Sequence, residues 1–182
     1  MCVSNEQLLA HAYEGEDKIM QEQHVLLTCV WLCEMSLGAL ARIDTSLSFE
    51  GRKACYETAI KLYDIIFQGN ENALFYNCGI ATHYRSLAKM HAENNMDKEA
   101  LDYLLYAETS SLLADKCATE GRQQYRSIFA NRQFHNPDGT SKNYEESSIG
   151  LLHKFVAGNK CFESLHDHPE FVALMARLEG AE

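Results

Sequence analysis

The sequence predicts an all-α fold of antiparallel helix pairs, and three observations carry that prediction. Leu and Ala dominate the apolar residues while Val and Ile are scarce. That usage favours helices, because side chains unbranched at Cβ lose little rotamer freedom there. The only two prolines, Pro137 and Pro169, come late in the chain, so nothing before them breaks a helical ladder. Apolar residues recur at three- and four-residue spacing, and no stretch alternates convincingly with period two. A chain of 182 residues fits one domain and can bury a sizeable core.

Each element has its own signal. Ser4 opens S-N-E-Q, a capping-box spacing with Gln7 that predicts a short helix to about Tyr13. From 17 to 43 the apolar set Ile19, Val25, Leu26, Cys29, Val30, Cys33, Leu37, Leu40 and Ala41 follows a helical period. The polar step after it offers Ser46 and Ser48 as N-caps. The helix over RKACYETAIKLYDIIF gathers Ala54, Ala59, Leu62, Tyr63, Ile66 and Phe67 on one face, and Gly69 is placed to end it in a left-handed cap.

Asn70 or Asn72 starts the next helix, which reaches about Glu93. Asn94-Asn95 turns the chain, and Asp97 caps a helix running to about Lys116. A helix is expected over 122–132, followed by the loop HNPDGTSKN. Another covers 144–157 and ends at Gly158-Asn159. Pro169 then falls in the first turn of a terminal helix. Short connections between these elements predict antiparallel neighbours.

With 16 Lys and Arg against 26 Asp and Glu, the formal net charge is −10. An acidic surface without a basic stripe does not suit phosphate, so direct nucleic-acid contact is not expected. The seven cysteines are odd in number and form no CxxC, which reads as free thiols in a reducing compartment. The longest apolar run, VLLTCVWLC, is too short to span a bilayer, and Glu34 ends it. No signal-peptide pattern opens the chain. A cytoplasmic protein with no membrane contact is the expectation.

The helices carry a repeat. Tetratricopeptide (TPR) units pair a helix bearing an aromatic, a Leu and a small residue with one bearing Ala-x3-aromatic. Tyr84-x2-Leu87-Ala88-x2-His91 followed by Ala100-x3-Leu104-x2-Ala107 fits that pattern. Ala88 and Ala100 let the two backbones approach while larger residues fill the grooves. Tyr125-Arg126-Ser127-Ile128 echoes Tyr84-Arg85-Ser86-Leu87, and Ala59-x3-Tyr63-x2-Ile66 precedes its own counterpart by the same interval. Leu37-Gly38-x2-Ala41 serves as the first helix of the earliest pair. The expectation is a short, right-handed TPR-like α-solenoid forming one domain over 1–182. Its parts are an N-terminal helical segment 4–43, repeats over about 44–132 and C-terminal helices over 144–179.

In that phase Thr82, Arg85, Ser86 and Lys89 face the concave groove, with Arg126 at the matching place one unit later. Cations there could hold a carboxylate, such as a peptide C-terminus, by charge-assisted hydrogen bonds. The plainer alternative is that Arg85 and Lys89 pair with neighbouring acids on a solvated face. His166-Asp167-His168 lacks partner ligands at metal spacing and precedes Pro169, so capping is preferred to zinc. Cys29 and Cys33 are expected in the core. His83 and His91 read as packing or capping residues. No Ser/His/Asp grouping and no phosphate-binding glycine loop occurs, so no catalytic residue, metal or cofactor is assigned.

Several longer stretches resemble the C-terminal, TPR-like region of helix-turn-helix transcriptional regulators of the XRE type. They are AIKLYDIIFQGNENALFYN, YRSLAKMHAENNMDKEALDYLLYAETSSLLAD, NPDGTSKNYEES and FESLHDHPEFVALMARLE, within about 50–179. The resemblance implies a homodimer that senses a peptide or small-molecule effector. The DNA-reading domain such regulators carry ahead of this region has no counterpart here, so it implies the effector part, not the DNA-contacting part. A stand-alone interaction scaffold is the alternative.

Overall fold

The structure, a computed structural model, describes residues 15–68, 73–120, 123–131, 134–135 and 146–180. These are almost wholly helical, as expected. The helices are α1 (Gly15–Ile43), α2 (Phe49–Ile66), α3 (Leu74–Ala92), α4 (Asp97–Thr119), α5 (Ser148–Ala157) and α6 (Pro169–Gly180). A 3-10 helix, Lys160–Leu165, links the last two, and the strands β1 (Gln123–Gln124) and β2 (Phe134–His135) pair antiparallel. The chain divides into two compact units, Met1–Ala73 with Arg122–Asn136, and Leu74–Gly121 with Pro137–Glu182. That boundary cuts across the expected repeat region. The expected helix at 4–13, the Gly69 cap, the Asn70 or Asn72 start and most of the loop after His135 lie outside the described residues.

In the first unit α1 and α2 form a hairpin. Its turn is held by Asp44, whose Oδ1 accepts from the Ser46 amide at 2.9 Å and the Ser46 hydroxyl at 2.6 Å. Ser48 is the N-cap of α2, its hydroxyl accepting from Gly51 N at 3.1 Å, as one of the two expected caps. Tyr56, Ala59, Ile60, Tyr63 and Ile66 are buried along α2, facing Val30 and Ala41 among the buried residues of α1.

The helix expected over 122–132 is not formed by the residues described there. Gln123 and Gln124 pair with His135 and Phe134, and 127–131 is a turn. Two interactions explain the difference. Tyr125 packs edge-on against Phe67, centroids 5.2 Å apart. The Ser127 hydroxyl accepts from Phe129 N at 3.2 Å, offering the backbone a turn in place of a ladder. A helix this short is marginal unless packing supports it. Here packing supports the turn.

The second unit is built on the α3–α4 hairpin. Asn95, at φ 57, provides the left-handed residue of the turn, and Asn94 Nδ2 donates to Met90 O at 2.7 Å. Asp97 is not the cap: Met96 holds that position without a side-chain bond, and the Asp97 carboxylate accepts from Ser164 Oγ at 2.9 Å. Leu87, Ala88, Ala100, Leu104 and Ala107 are fully buried. The His91 ring is buried too, donating from Nδ1 to Leu87 O at 2.8 Å and lying against Tyr103. Helices α5 and α6 add Ile149, Leu152, Val156, Phe171, Leu174 and Leu178, and the 3-10 helix adds Phe162 and Leu165.

Helix α5 begins at Ser148, later than the expected 144. Ser147 caps Gly150 N at 3.0 Å, and the Asp115 carboxylate accepts from Ser148 N at 2.6 Å and Ile149 N at 2.9 Å. Pro169 opens α6 as expected. His166 stacks on Phe171. Glu108, buried on α4, takes both arms of Arg177 from α6, at 2.6 and 2.7 Å.

Cys29 and Cys33 do not lie in the core; both are exposed. Helix α1 is apolar on more than one side, and the side that packs on α2 is marked by Val30 and Ala41. Nor does Glu34 end the apolar stretch. The helix continues, and Lys18–Ile43 is long and apolar enough to cross a membrane by length and composition.

Candidate functional site

The second unit contains a recess of about 100 Å³ between three of its helices. Cys78, Ala81, Thr82 and Arg85 line it from α3, Ser111 from α4, and Ser148 and Leu151 from α5. The one-turn spacing of Cys78, Thr82 and Arg85 puts them on one side of α3. Ser111 continues the inward stripe of Leu104, Ala107 and Ala114, so a hydroxyl stands where the pattern would place an apolar side chain.

Arg85 carries the charge of the recess. Its Nη2 donates to Thr82 Oγ1 at 3.0 Å, Thr82 Oγ1 donates to Cys78 O at 3.0 Å, and the guanidinium lies 6.0 Å from the Phe155 ring centre. Burial lowers its pKa from the usual arginine value, with a small opposing effect from Cys78. It stays cationic, since an arginine is not deprotonated in proteins. Among the described residues no carboxylate pairs with it.

Across the recess the Ser111 hydroxyl is buried without a hydrogen-bond partner. The Ser148 hydroxyl lies 3.8 Å from Cys78 Sγ. Asp115 already occupies the N-terminus of α5, so an anion in the recess would be met by side chains and not by those amides. The lining has a guanidinium, three hydroxyls and a thiol. It has no carboxylate or imidazole with which to pair a nucleophile and a base.

The five sequence candidates separate. Thr82 and Arg85 line the recess. Ser86 turns its hydroxyl back to Thr82 O at 3.0 Å. Lys89 lies 3.8 Å from Glu93 one turn on, both side chains about half exposed, where such a pair is screened. Arg126 is exposed on the non-helical segment of the other unit, so the helical phase that matched it to Arg85 is not realised. Ser111 and Ser148 were not singled out from sequence. For Ser111 the signal was present, as a polar residue in phase with Leu104, Ala107 and Ala114.

A larger, wide-mouthed cavity of about 420 Å³ lies in the first unit, lined by Lys18, Ile19, Glu22, Gln23, Leu26, Ile128 and Phe129. Its buried amide is committed: Gln23 Nε2 donates to Ile128 O at 3.0 Å and Asn131 Oδ1 at 2.9 Å. That leaves the smaller recess as the better anion site. No family model, curated protein or solved structure matches the chain.

Proposed function

We propose that this chain is a non-catalytic, TPR-like sensor domain of a cytoplasmic transcriptional regulator. It acts as a homodimer and binds a carboxylate-bearing effector, a peptide end or a small acid, at Arg85. The observation that carries this reading is a half-buried guanidinium with no carboxylate partner among the described residues, sharing a recess with the unsatisfied Ser111 hydroxyl. Burying a charge is costly unless it is paired, and a carboxylate would satisfy both groups. The recess has room for a carboxylate and a few carbons, so the rest of a longer effector would lie outside it.

The TPR-like arrangement is supported by the α3–α4 hairpin, where Ala88 and Ala100 are buried at the positions that need small residues. The α1–α2 hairpin is a second helix pair, in the other unit, and the echo at Tyr125 is not helical. Packed helix pairs can shift against one another, a suitable basis for a switch.

Calorimetric titration with propanoate, propanamide and a short peptide with free or amidated C-terminus tests the site. Carboxylates should bind and amides should not. Arg85→Gln should weaken binding at least ~10-fold, the effect of losing a charge-assisted bond. Equal binding of acid and amide would refute the assignment.

A further inference from the structure

The recess that holds Arg85 also holds a thiol. Cys78 stands two turns before Arg85 on the same side of α3 and is half-buried, its Sγ 3.8 Å from the Ser148 hydroxyl. A long helical side chain leans towards the N-terminus, and Arg85 does so here. Its Nη2 donates to Thr82 Oγ1 at 3.0 Å, and Thr82 Oγ1 donates to Cys78 O at 3.0 Å. Two hydrogen bonds thus join the guanidinium to the turn that carries the thiol. From α4 the Ser111 hydroxyl lines the same recess, on a residue 1% exposed, and has no partner.

We propose that Cys78 is a covalent modification site for small α,β-unsaturated monocarboxylic acids, which Arg85 and Ser111 hold by the carboxylate while the β-carbon meets the sulfur. The inference rests on carboxylate binding at Arg85 and names the class of acid.

No base in the recess activates its hydroxyls, but a thiol needs none. Roughly a few per cent of an ordinary thiol is thiolate at neutral pH, and that form is strongly nucleophilic. A neighbouring cation favours the thiolate, and Arg85 and Cys78 lie close enough to interact electrostatically. The thiolate adds to the β-carbon. A C–S bond forms, the C=C π pair shifts to the α-carbon, and the α-carbon takes from water the proton that the thiol released. No oxidant, reductant or leaving group is involved. The product is a thioether that keeps its carboxylate beside Arg85, so the signal outlasts removal of the acid.

Size and charge narrow the class. A three-carbon acid spans roughly 3–4 Å from carboxylate oxygen to β-carbon, on bonds of about 1.2–1.5 Å. The recess of about 100 Å³ takes little more. Asp115 accepts from the Ser148 amide at 2.6 Å. That sets a carboxylate next to Ser148, the neighbour of the thiol, and disfavours a second negative charge there. Monoacids are selected over diacids.

The test treats the full chain with acrylate and, separately, with acrylamide, and follows each cysteine by peptide mass spectrometry over time. Cys29 and Cys33, exposed on α1, serve as reference thiols. The ratio of acrylate to acrylamide rate should be at least ~10-fold higher at Cys78 than at either, the effect of a charge-assisted contact. Propanoate should protect Cys78 and leave Cys29 and Cys33 unprotected. Arg85→Gln should bring the Cys78 ratio down to that of the references, with helical circular dichroism unchanged. If that variant loses helicity, propanoate protection of the wild type decides.

Equal ratios at the three cysteines, or selective labelling that propanoate does not block, would overturn the thiol site. If propanoate binds in calorimetry while Cys78 resists acrylate, the covalent step falls and the carboxylate reading stands. If propanoate does not bind and no cysteine discriminates acid from amide, both fall.

Discussion

The two helix hairpins, α1–α2 and α3–α4, bury their inner faces alike but treat the remaining faces differently. The α3–α4 hairpin is covered by α5, the 3-10 helix and α6, which bring Leu152, Phe162, Leu174 and Leu178 to full burial. Its buried acid, Glu108, is met by both arms of Arg177. On α1 the inner side is packed, yet Leu32, Leu40 and Ile43 stay exposed on the outer one. An apolar period shows that a helix has a face. It does not show what covers that face.

Core substitutions should break the comparison most sharply. Phe162→Ala or Leu104→Ala should destabilise the protein by about 3–5 kcal/mol through lost burial and a residual cavity. At concentrations where the chain is monomeric, Leu32→Ala should stay within ~0.5 kcal/mol, as expected at an exposed position. Urea unfolding of the three variants checks this. In the monomer, a Leu32→Ala cost like that of Leu104→Ala would mean that Leu32 is covered within one chain.

Glu108→Ala should rank next, at about 1–2 kcal/mol. Glu108 is buried, but the Arg177 side chain is half exposed and can return to water, which limits the loss. Removing the α2 cap by Ser48→Ala should cost about 1 kcal/mol.

Ser111→Ala separates stability from binding. Deleting an unsatisfied buried hydroxyl should leave the free protein unchanged or stabilise it by up to ~1 kcal/mol. The same change should weaken carboxylate binding. Thermal melts with and without propanoate report both effects.

The smallest effect lies in the α1–α2 turn. Bonds from the Ser46 hydroxyl and then its amide hold the exposed Asp44 carboxyl below its usual value of 3.8. A depressed pKa favours folding above 3.8, and that contribution is lost as pH falls through the lower folded value. Ser46→Ala should raise the Asp44 midpoint towards 3.8 in an NMR titration.

The α3–α4 hairpin was legible because Tyr84, Leu87, Ala88, Ala100 and Leu104 repeat a contact pattern, and Asn94-Asn95 marks its turn. Residues 123–131 were not legible as a turn. Their fate depends on the ring of Phe67, distant in sequence, and on a serine hydroxyl competing with the helical ladder. Cys29 and Cys33 misled because α1 is apolar on two sides, and periodicity does not rank them. Of the site, Arg85 and Thr82 were visible through the repeat phase. Lys89 and Arg126 were drawn in by that phase although Glu93 lies beside the first and the second stands outside any helix. For Ser111 the sequence carried a weak signal, one hydroxyl in phase with Leu104, Ala107 and Ala114, and its lack of a partner in the structure is what gives that signal weight.

The most direct test of the central claim is the Nε–H resonance of Arg85 in a ¹⁵N-edited NMR titration with propanoate, and with propanamide as control. The account predicts a saturable downfield shift with propanoate alone, lost in Ser111→Ala or strongly weakened. An Arg85 signal that stays fixed while propanoate saturates elsewhere, or that moves equally with the amide, would contradict it.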